Sequence, residues 1–359
     1  RGIPNHYGGF EQFVSYLAPA LVQKKHEVVV YNSSLHPYKK SERKGVKIIR
    51  RYDPENKIGI AGQFIYDFLC LLDARKRKFN IIFQLGYTSS SVWSFLFPKN
   101  VIIATSLDGM EWKRSKYSSL AQAFLLRAEK WAIKYSHVLI ADAVGIQRYL
   151  EKKYNRPSVY IAYGAVPFNN PDAGILMQHH LIAFQYNLVI ARMVPENNLE
   201  MIIKGCLQAG ANMPLIIIVD IKNKWGKYLQ KKYARTNIIF IGAIYDDEIL
   251  NNLRYYSNIY FHGHSVGGTN PSLLEAMAAQ CFIIAHDNIF NREILEENAY
   301  YFNDESDIDI LLKSKIHKRQ HASFLQNNLQ KILHCFTWEK IIQSVDNCIS
   351  SAYFSQPSK

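Results

Sequence analysis

A chain of 359 residues has room for two domains of ordinary size, each with its own core. Apolar residues make up 48% and charged residues 20%, which excludes a disordered chain and fits a globular one. The charge is uneven: to Ala165 there are 26 Lys+Arg against 12 Asp+Glu, and from Val166 onward 17 against 18. The whole basic excess therefore lies in the first half, which suits an anionic partner surface, either membrane headgroups or nucleic acid. No recognisable nucleic-acid module accompanies Lys39-Lys40, Arg43-Lys44, Arg50-Arg51 or Arg75-Lys76-Arg77-Lys78, and plain solvation of helix faces is the alternative. No run of 18 uncharged apolar residues occurs, and Arg1-Gly2-Ile3-Pro4 does not read as a signal peptide. The five cysteines, Cys70, Cys206, Cys281, Cys335 and Cys348, lack metal or redox spacing and read as buried thiols of a reducing cytoplasm.

In chain order, Phe13, Tyr16, Leu17 and Leu21 carry helical spacing within 11–24, and 26–32 is a buried strand. Strands follow at 46–52 and 80–86, with a helix from about Ala61 to Lys78 between them. The first half closes with strand 101–107, helix 119–134, strand 137–142 and helix 144–153. The segment from Tyr163 to His180, with Pro167, Pro171 and Gly174, reads as a linker. A second alternating series has strands at 187–193, 214–220, 237–242, 258–263 and 281–287, separated by helices, and a helical tail over Trp338 to Phe354. Strands alternating with helices imply parallel βαβ units in doubly wound sheets.

The segment from His264 to Asn288 is the most informative. It reads as a glycine turn at Gly267-Gly268, an N-cap at Asn270, Pro271 at the first helical position, a small-residue helix and a strand. Such a turn feeding a helix N-terminus is an anion site suited to a diphosphate. Glu275, one turn inside, is placed to accept from sugar hydroxyls.

These residues resemble the nucleotide-sugar signature of the retaining family 4 glycosyltransferases, which have the GT-B fold. The form GGTNPSLLEAMA is similar to that of a bacterial rhamnosyltransferase-type subgroup. Residues 1–31, 84–91, 107–118, 141–154 and 191–205 resemble the same subgroup. The resemblance implies an α/β GT-B protein: two Rossmann-like doubly wound domains facing a cleft. Its expected parts are an acceptor-side domain over 1–163, a linker over 164–183, a nucleotide-sugar domain over 184–337, and a helix over 338–359 returning to the first domain. The turn before the 11–24 helix should follow a first strand, so the sequence reads as lacking that strand of its first sheet.

The implied reaction is retaining transfer of a sugar, expected to be rhamnose from dTDP-rhamnose, to a lipid-linked saccharide in cell-surface polysaccharide assembly. The expected partners are a nucleotide-sugar donor, that acceptor and an anionic membrane surface, with no nucleic acid. The expected location is cytoplasmic, peripheral at the inner membrane face. A sugar-nucleotide epimerase on the same fold and a non-catalytic partner protein are the alternatives.

Residue by residue, Arg192 matches the arginine of the family's diphosphate-binding pair, but Asn197 stands where its lysine should be. The family's first signature glutamate falls on Gly267, which moves sugar contacts toward the backbone of Gly268, Thr269 and Asn270 and fits a deoxy sugar. Gly8 and Gly9 form a second turn, implied to face donor diphosphate or acceptor, with Glu11 just beyond. Asp108 is expected to orient the acceptor hydroxyl or to cap the next helix, and His264 to face the ligand, with His262 structural. Asp307-Ile-Asp309 looks like a metal motif but reads as acids opening a helix, and neither a metal nor another cofactor is expected.

Overall fold

The computed structural model describes residues 1–6, 8–107, 109–114, 117–210 and 213–355. Its chain divides into two compact units, Arg1–Gly164 with Trp338–Lys359, and Ala165–Thr337.

The first unit begins with α1 (Gly9–Gln23), β1 (Val29–Ser33), β2 (Glu42–Arg43) and β3 (Val46–Arg51). It continues through α2 (Glu55–Ile58), α3 (Gly62–Ala74), β4 (Ile81–Leu85) and β5 (Ile102–Leu107). Then come α4 (Ser119–Tyr135), β6 (Val138–Ala141), α5 (Val144–Tyr154) and β7 (Val159–Tyr160). Among the described residues the strands form two sheets, ordered β1-β3-β2 and β4-β5-β6-β7. Periodicity marks which residues are strand but is blind to which edges pair. All pairs are parallel except β2 with β3. Buried Ile3 packs with Val46 and Ile48 of the first sheet and is held by the Asn32 side chain: its N–H donates to Asn32 Oδ1 at 3.1 Å, and Asn32 Nδ2 donates to its carbonyl at 2.8 Å. The helix expected from Ala61 to Lys78 is shorter, ending at Ala74 and leaving Arg75–Lys78 exposed.

The terminal helix, Trp338–Phe354, packs on α1. Trp338 stacks on Tyr16 with centroids 4.3 Å apart and meets the edge of Phe13. Lys24 and His26 both reach Asp346 on that helix.

The second unit has β8 (Asn187–Ile190), α6 (Leu199–Gln208), β9 (Leu215–Ile218), α7 (Lys224–Lys232) and β10 (Ile238–Gly242). After these come α8 (Asp247–Tyr255), β11 (Ile259–His262), α9 (Pro271–Ala278) and β12 (Ile283–His286). It closes with α10 (Ile289–Leu295), β13 (Tyr300–Phe302), α11 (Glu305–Lys313) and α12 (Ala322–Lys331). One wholly parallel sheet runs β10-β9-β8-β11-β12-β13. Its central strands are buried on both faces, which is why they read as unbroken apolar runs. Val189, Ile217, Phe261 and Ile284 share one core with Ile202 and Ile203 of α6. Cys206 and Cys281 are buried as expected, but Cys335 is exposed, because a helical cysteine's face is set by packing and not by its type.

Candidate active site

The order of the second sheet dictates where its ligand crevice lies. From β8 the chain builds outward through β9 and β10, then crosses back to place β11 on the other side of β8. The loops leaving β8 and β11 therefore part in opposite directions outside the strand C-termini, the position where open α/β sheets take ligands. Arg192 lies on the first of these loops and Gly267 to Asn270 on the second.

The two loops are stitched together at their base. Asn198 Nδ2 donates to the Gly263 carbonyl at 2.8 Å, and both the N–H and the hydroxyl of Ser265 donate to the Glu196 carbonyl at 3.0 Å. A Cβ on Gly263 would stand 2.1 Å from the Asn197 carbonyl oxygen, so only glycine lets the loops meet. Asn197, at the family's lysine position, is buried and donates to the Arg192 carbonyl at 2.8 Å. It is a strut of the loop, while the Arg192 side chain is exposed and has no ion-pair partner among the described residues.

At the mouth of α9, Asn270 is the N-cap and accepts from Ser272 N at 2.9 Å, with Pro271 in the first turn. The Leu273 and Leu274 N–H groups both donate to the Asn270 carbonyl. The first turn of α9 therefore offers its dipole, but its N–H donors are already engaged. Donors for an anion come instead from the turn before it, where the N–H groups of Gly267 and Gly268 make no backbone bond among the described residues. Gly267 has φ +125° and open space where a Cβ would project, while Thr269 is buried. Ser272 is tied to the sheet by its hydroxyl, 2.7 Å from Tyr260 Oη.

Glu275 has a partner that sequence reasoning missed. Arg254, at the end of α8, is only 3% exposed, and its Nη2 donates to Glu275 Oε2 at 2.5 Å while Nη1 donates to Asn251 at 3.1 Å. Burial is the largest single influence and works against that cation, but Glu275, Tyr260 and Cys281 together outweigh it and hold the guanidinium's pKa above its ordinary value. Glu275 itself remains 25% exposed, so its carboxylate is oriented from beneath. The signal available was phase: Arg254 follows Leu250 and Leu253 on the inner face of an amphipathic helix.

His264 stacks on His262 with centroids 4.4 Å apart. His262 is fully buried, and neither of its ring nitrogens finds a hydrogen-bond partner among the described residues. The loops after β11 and β12 are joined by Asn288 and Asn291, whose Nδ2 atoms each donate to the carbonyls of His264 and His286. Burial pushes the His262 pKa well below its ordinary 6.5, aided by neighbouring His264 and His286, and burial lowers His286 as well. A depressed imidazole takes its proton more readily in the unfolded chain. Its stabilising effect is therefore complete above pH 6.5 and is lost as the pH falls toward the folded value. Thermal midpoints measured from pH 8 to pH 5 should fall on the acid side, and His262→Leu should flatten that fall.

In the first unit, Gly8 is the N-cap of α1 with φ +111°, and Gly9 is its first residue. Glu11 accepts from the His6 N–H at 3.1 Å. Asp108 lies outside the described residues. The neighbouring loop is anchored by Trp112, whose Nε1 donates to Glu129 and to Tyr149 Oη, both at 3.2 Å. Buried Glu129 also accepts from Tyr149 at 2.6 Å and Tyr154 at 2.5 Å. Asp307 and Asp309 serve α11: Asp307 accepts from Asn303 N, and Asp309 pairs with Lys313. Among the described residues no group of three or more His, Cys, Asp or Glu is arranged to hold a metal.

Residues 184–319 match the family model described as "Glycosyl transferases group 1", and residues 1–166 match one described as "Domain of unknown function (DUF1972)". No curated protein matches the chain. Among solved structures, sucrose-phosphate synthase from Thermosynechococcus elongatus aligns with a TM-score of 0.79 at 16% identity, over 97% of this chain and 94% of that one. Anabaena HepE in complex with UDP-glucose aligns with a TM-score of 0.76 at 14% identity, over 96% and 97%. A glycosyltransferase from Rickettsia africae aligns with a TM-score of 0.72 at 12% identity, over 99% and 98%. These structural likenesses show the GT-B fold. The segment that matches the glycosyl transferases group 1 model lies in the second unit, and the crevice described above lies within it.

Proposed function

We propose that the protein is a retaining glycosyltransferase that moves a sugar from a nucleotide diphosphate to a lipid-linked saccharide acceptor in cell-surface polysaccharide assembly. The observation that carries this reading is the mouth of α9. A glycine turn whose N–H groups make no backbone bond among the described residues, a helix dipole, and Arg192 with no ion-pair partner among the described residues lie on the two loops that leave the switch point of a parallel sheet. Bound UDP-glucose in the similar HepE structure supports a nucleotide-sugar donor. The specific donor is proposed to be dTDP-rhamnose, supported by the subgroup resemblance and by Gly267 in place of a sugar-binding glutamate.

In this mechanism the acceptor oxygen attacks on the face the diphosphate leaves, through an oxocarbenium-like state. The new C–O bond forms as the anomeric C–O bond to phosphate breaks. The departing phosphate oxygen receives the acceptor's proton and the bond's electron pair. Arg192 and the α9 dipole stabilise the charge that grows on the leaving diphosphate, and Glu275 positions the donor. No helix among the described residues is long and apolar enough to cross a membrane, so access to a lipid-linked acceptor is proposed to be peripheral, at the inner face.

Incubation with dTDP-rhamnose, UDP-glucose and other donors, plus a lipid-linked acceptor extract, followed by product mass, tests the reading. A mass gain of one deoxyhexose is expected, and donor turnover with no sugar added to any acceptor would overturn it. Transfer is expected to persist in excess chelator. Complete loss restored by a divalent metal, in protein confirmed folded, would reverse the assignment of Asp307 and Asp309 to α11.

A further inference from the structure

The sequence places an apolar stripe beside basic residues within Gln63 to Phe79, but the fold moves the exposed apolar surface. On α3, Phe64, Phe68, Leu69 and Leu72 are half-buried, and only Ile65 among the stripe is exposed. The large exposed apolar side chains of this region are instead Leu120, 86% exposed at the start of α4, Ile60, 71% exposed just before α3, and Phe95, 66% exposed.

Aromatic contacts bring these three places together. Phe64, one turn beyond Ile60, packs on Phe124, one turn beyond Leu120, with centroids 5.7 Å apart. Trp93 packs on Phe68 and on Phe95, and its Nε1 donates to the Phe64 carbonyl at 2.9 Å. The result is one apolar tip built from the entries to α3 and α4 and the turn carrying Phe95. A shallow open hollow beside it is lined by Ala123, Leu126, Arg127 and Lys130.

Exposed charge around this tip is mainly basic; Glu55, 42% exposed beside the entry to α3, pairs with Arg1. Each carboxylate of α3 and α4 is engaged internally: Asp67 with Ser89, Asp73 with Arg51 and Arg77, and Glu129 with Tyr149 and Tyr154. The exposed cations Arg127, Lys130 and Lys134 on α4 have no acidic partner among the described residues. We propose that this apolar tip, with the row of exposed cations that runs from it along α4, is the surface by which the protein seats on an anionic bilayer. Exposed apolar side chains bordered by lysine and arginine enter the headgroup region while the cations meet lipid phosphates. The inference rests on the reading of a lipid-linked acceptor, which the seated protein would reach without a spanning segment.

Sedimentation of the full chain with vesicles of phosphatidylcholine alone, or mixed with phosphatidylglycerol, tests it. The wild type should bind the mixed vesicles at low salt, bind them more weakly at high salt, and leave neutral vesicles nearly free. Ile60→Asp with Leu120→Asp should weaken binding about tenfold or more, since both side chains would enter the bilayer. Arg127→Gln and Lys130→Gln should each weaken it about fivefold at low salt. All four positions are exposed, so circular dichroism and the thermal midpoint should match the wild type. Vesicle binding that these variants leave unchanged would overturn the proposal, as would absence of wild-type binding or self-association through the tip in lipid-free solution. Calorimetry with UDP and dTDP is run on the same proteins. Nucleotide binding with no vesicle binding would overturn the docking surface alone, and vesicle binding with no nucleotide binding would overturn the glycosyltransferase reading.

Discussion

Arg192→Ala is expected to lower the turnover number by about 10²–10³-fold while changing the donor KM much less. The guanidinium is exposed, free of any ion pair among the described residues, and carried on the loop that leaves β8 at the switch point. Negative charge on the diphosphate grows as the anomeric bond breaks, so a cation there acts more strongly on the transition state than on the bound donor. Asn197, which stands where the resembled family has a lysine, is buried and holds the Arg192 carbonyl, so that position supplies no second cation. Arg192→Lys should restore only part of the rate, because a point charge does not reproduce a bidentate fork. Steady-state kinetics at saturating acceptor check both. Wild-type turnover in folded Arg192→Ala would remove this residue from the chemistry.

Glu275→Ala is expected to fail twice, in donor binding and in folding. The substitution removes a carboxylate proposed to receive sugar hydroxyls, which should raise the donor KM. It also strands Arg254, whose guanidinium is buried with Glu275 as its only salt-bridge partner among the described residues. Breaking one side of such a pair costs about 3–5 kcal/mol, because an uncompensated charge stays in a dry site. Glu275→Gln keeps an acceptor oxygen for Arg254 and should recover much of that stability without recovering the donor KM. Urea denaturation of the three proteins, set beside their KM values, separates the effects. Equal stability of wild type and Glu275→Ala would show that Arg254 does not depend on this carboxylate.

The signature itself was legible from residue types alone. Asn270 followed by Pro271 can only begin a helix well, and Gly267 at φ +125° occupies backbone space that side chains avoid. The strands of the second unit were equally legible, because a parallel strand buried on both faces needs an unbroken apolar run, as in Leu215–Ile218. The terminal helix over Trp338–Phe354 was visible in its spacing. Local chemistry fixes these features, so sequence order suffices to read them.

Other features depended on contacts between residues far apart in the chain. Arg254 and Glu275 are separated by a strand and a turn, and nothing near either residue names the other. Gly263 looks like any glycine until the Asn197 carbonyl is seen to lie where a Cβ would be. The engaged first turn of α9 shows only when the Asn270 carbonyl and side chain are placed. The exposed tip at Ile60, Phe95 and Leu120 was likewise hidden, since an apolar side chain's type sets what it gains by burial but not whether a neighbour covers it. The division of the first unit's strands into two sheets belongs here too. The sequence by itself determined most of the elements and the capped turn. Tertiary structure decided which charges are paired, which donors remain free and which apolar surface is left open, because each depends on the approach of segments that sequence order keeps apart.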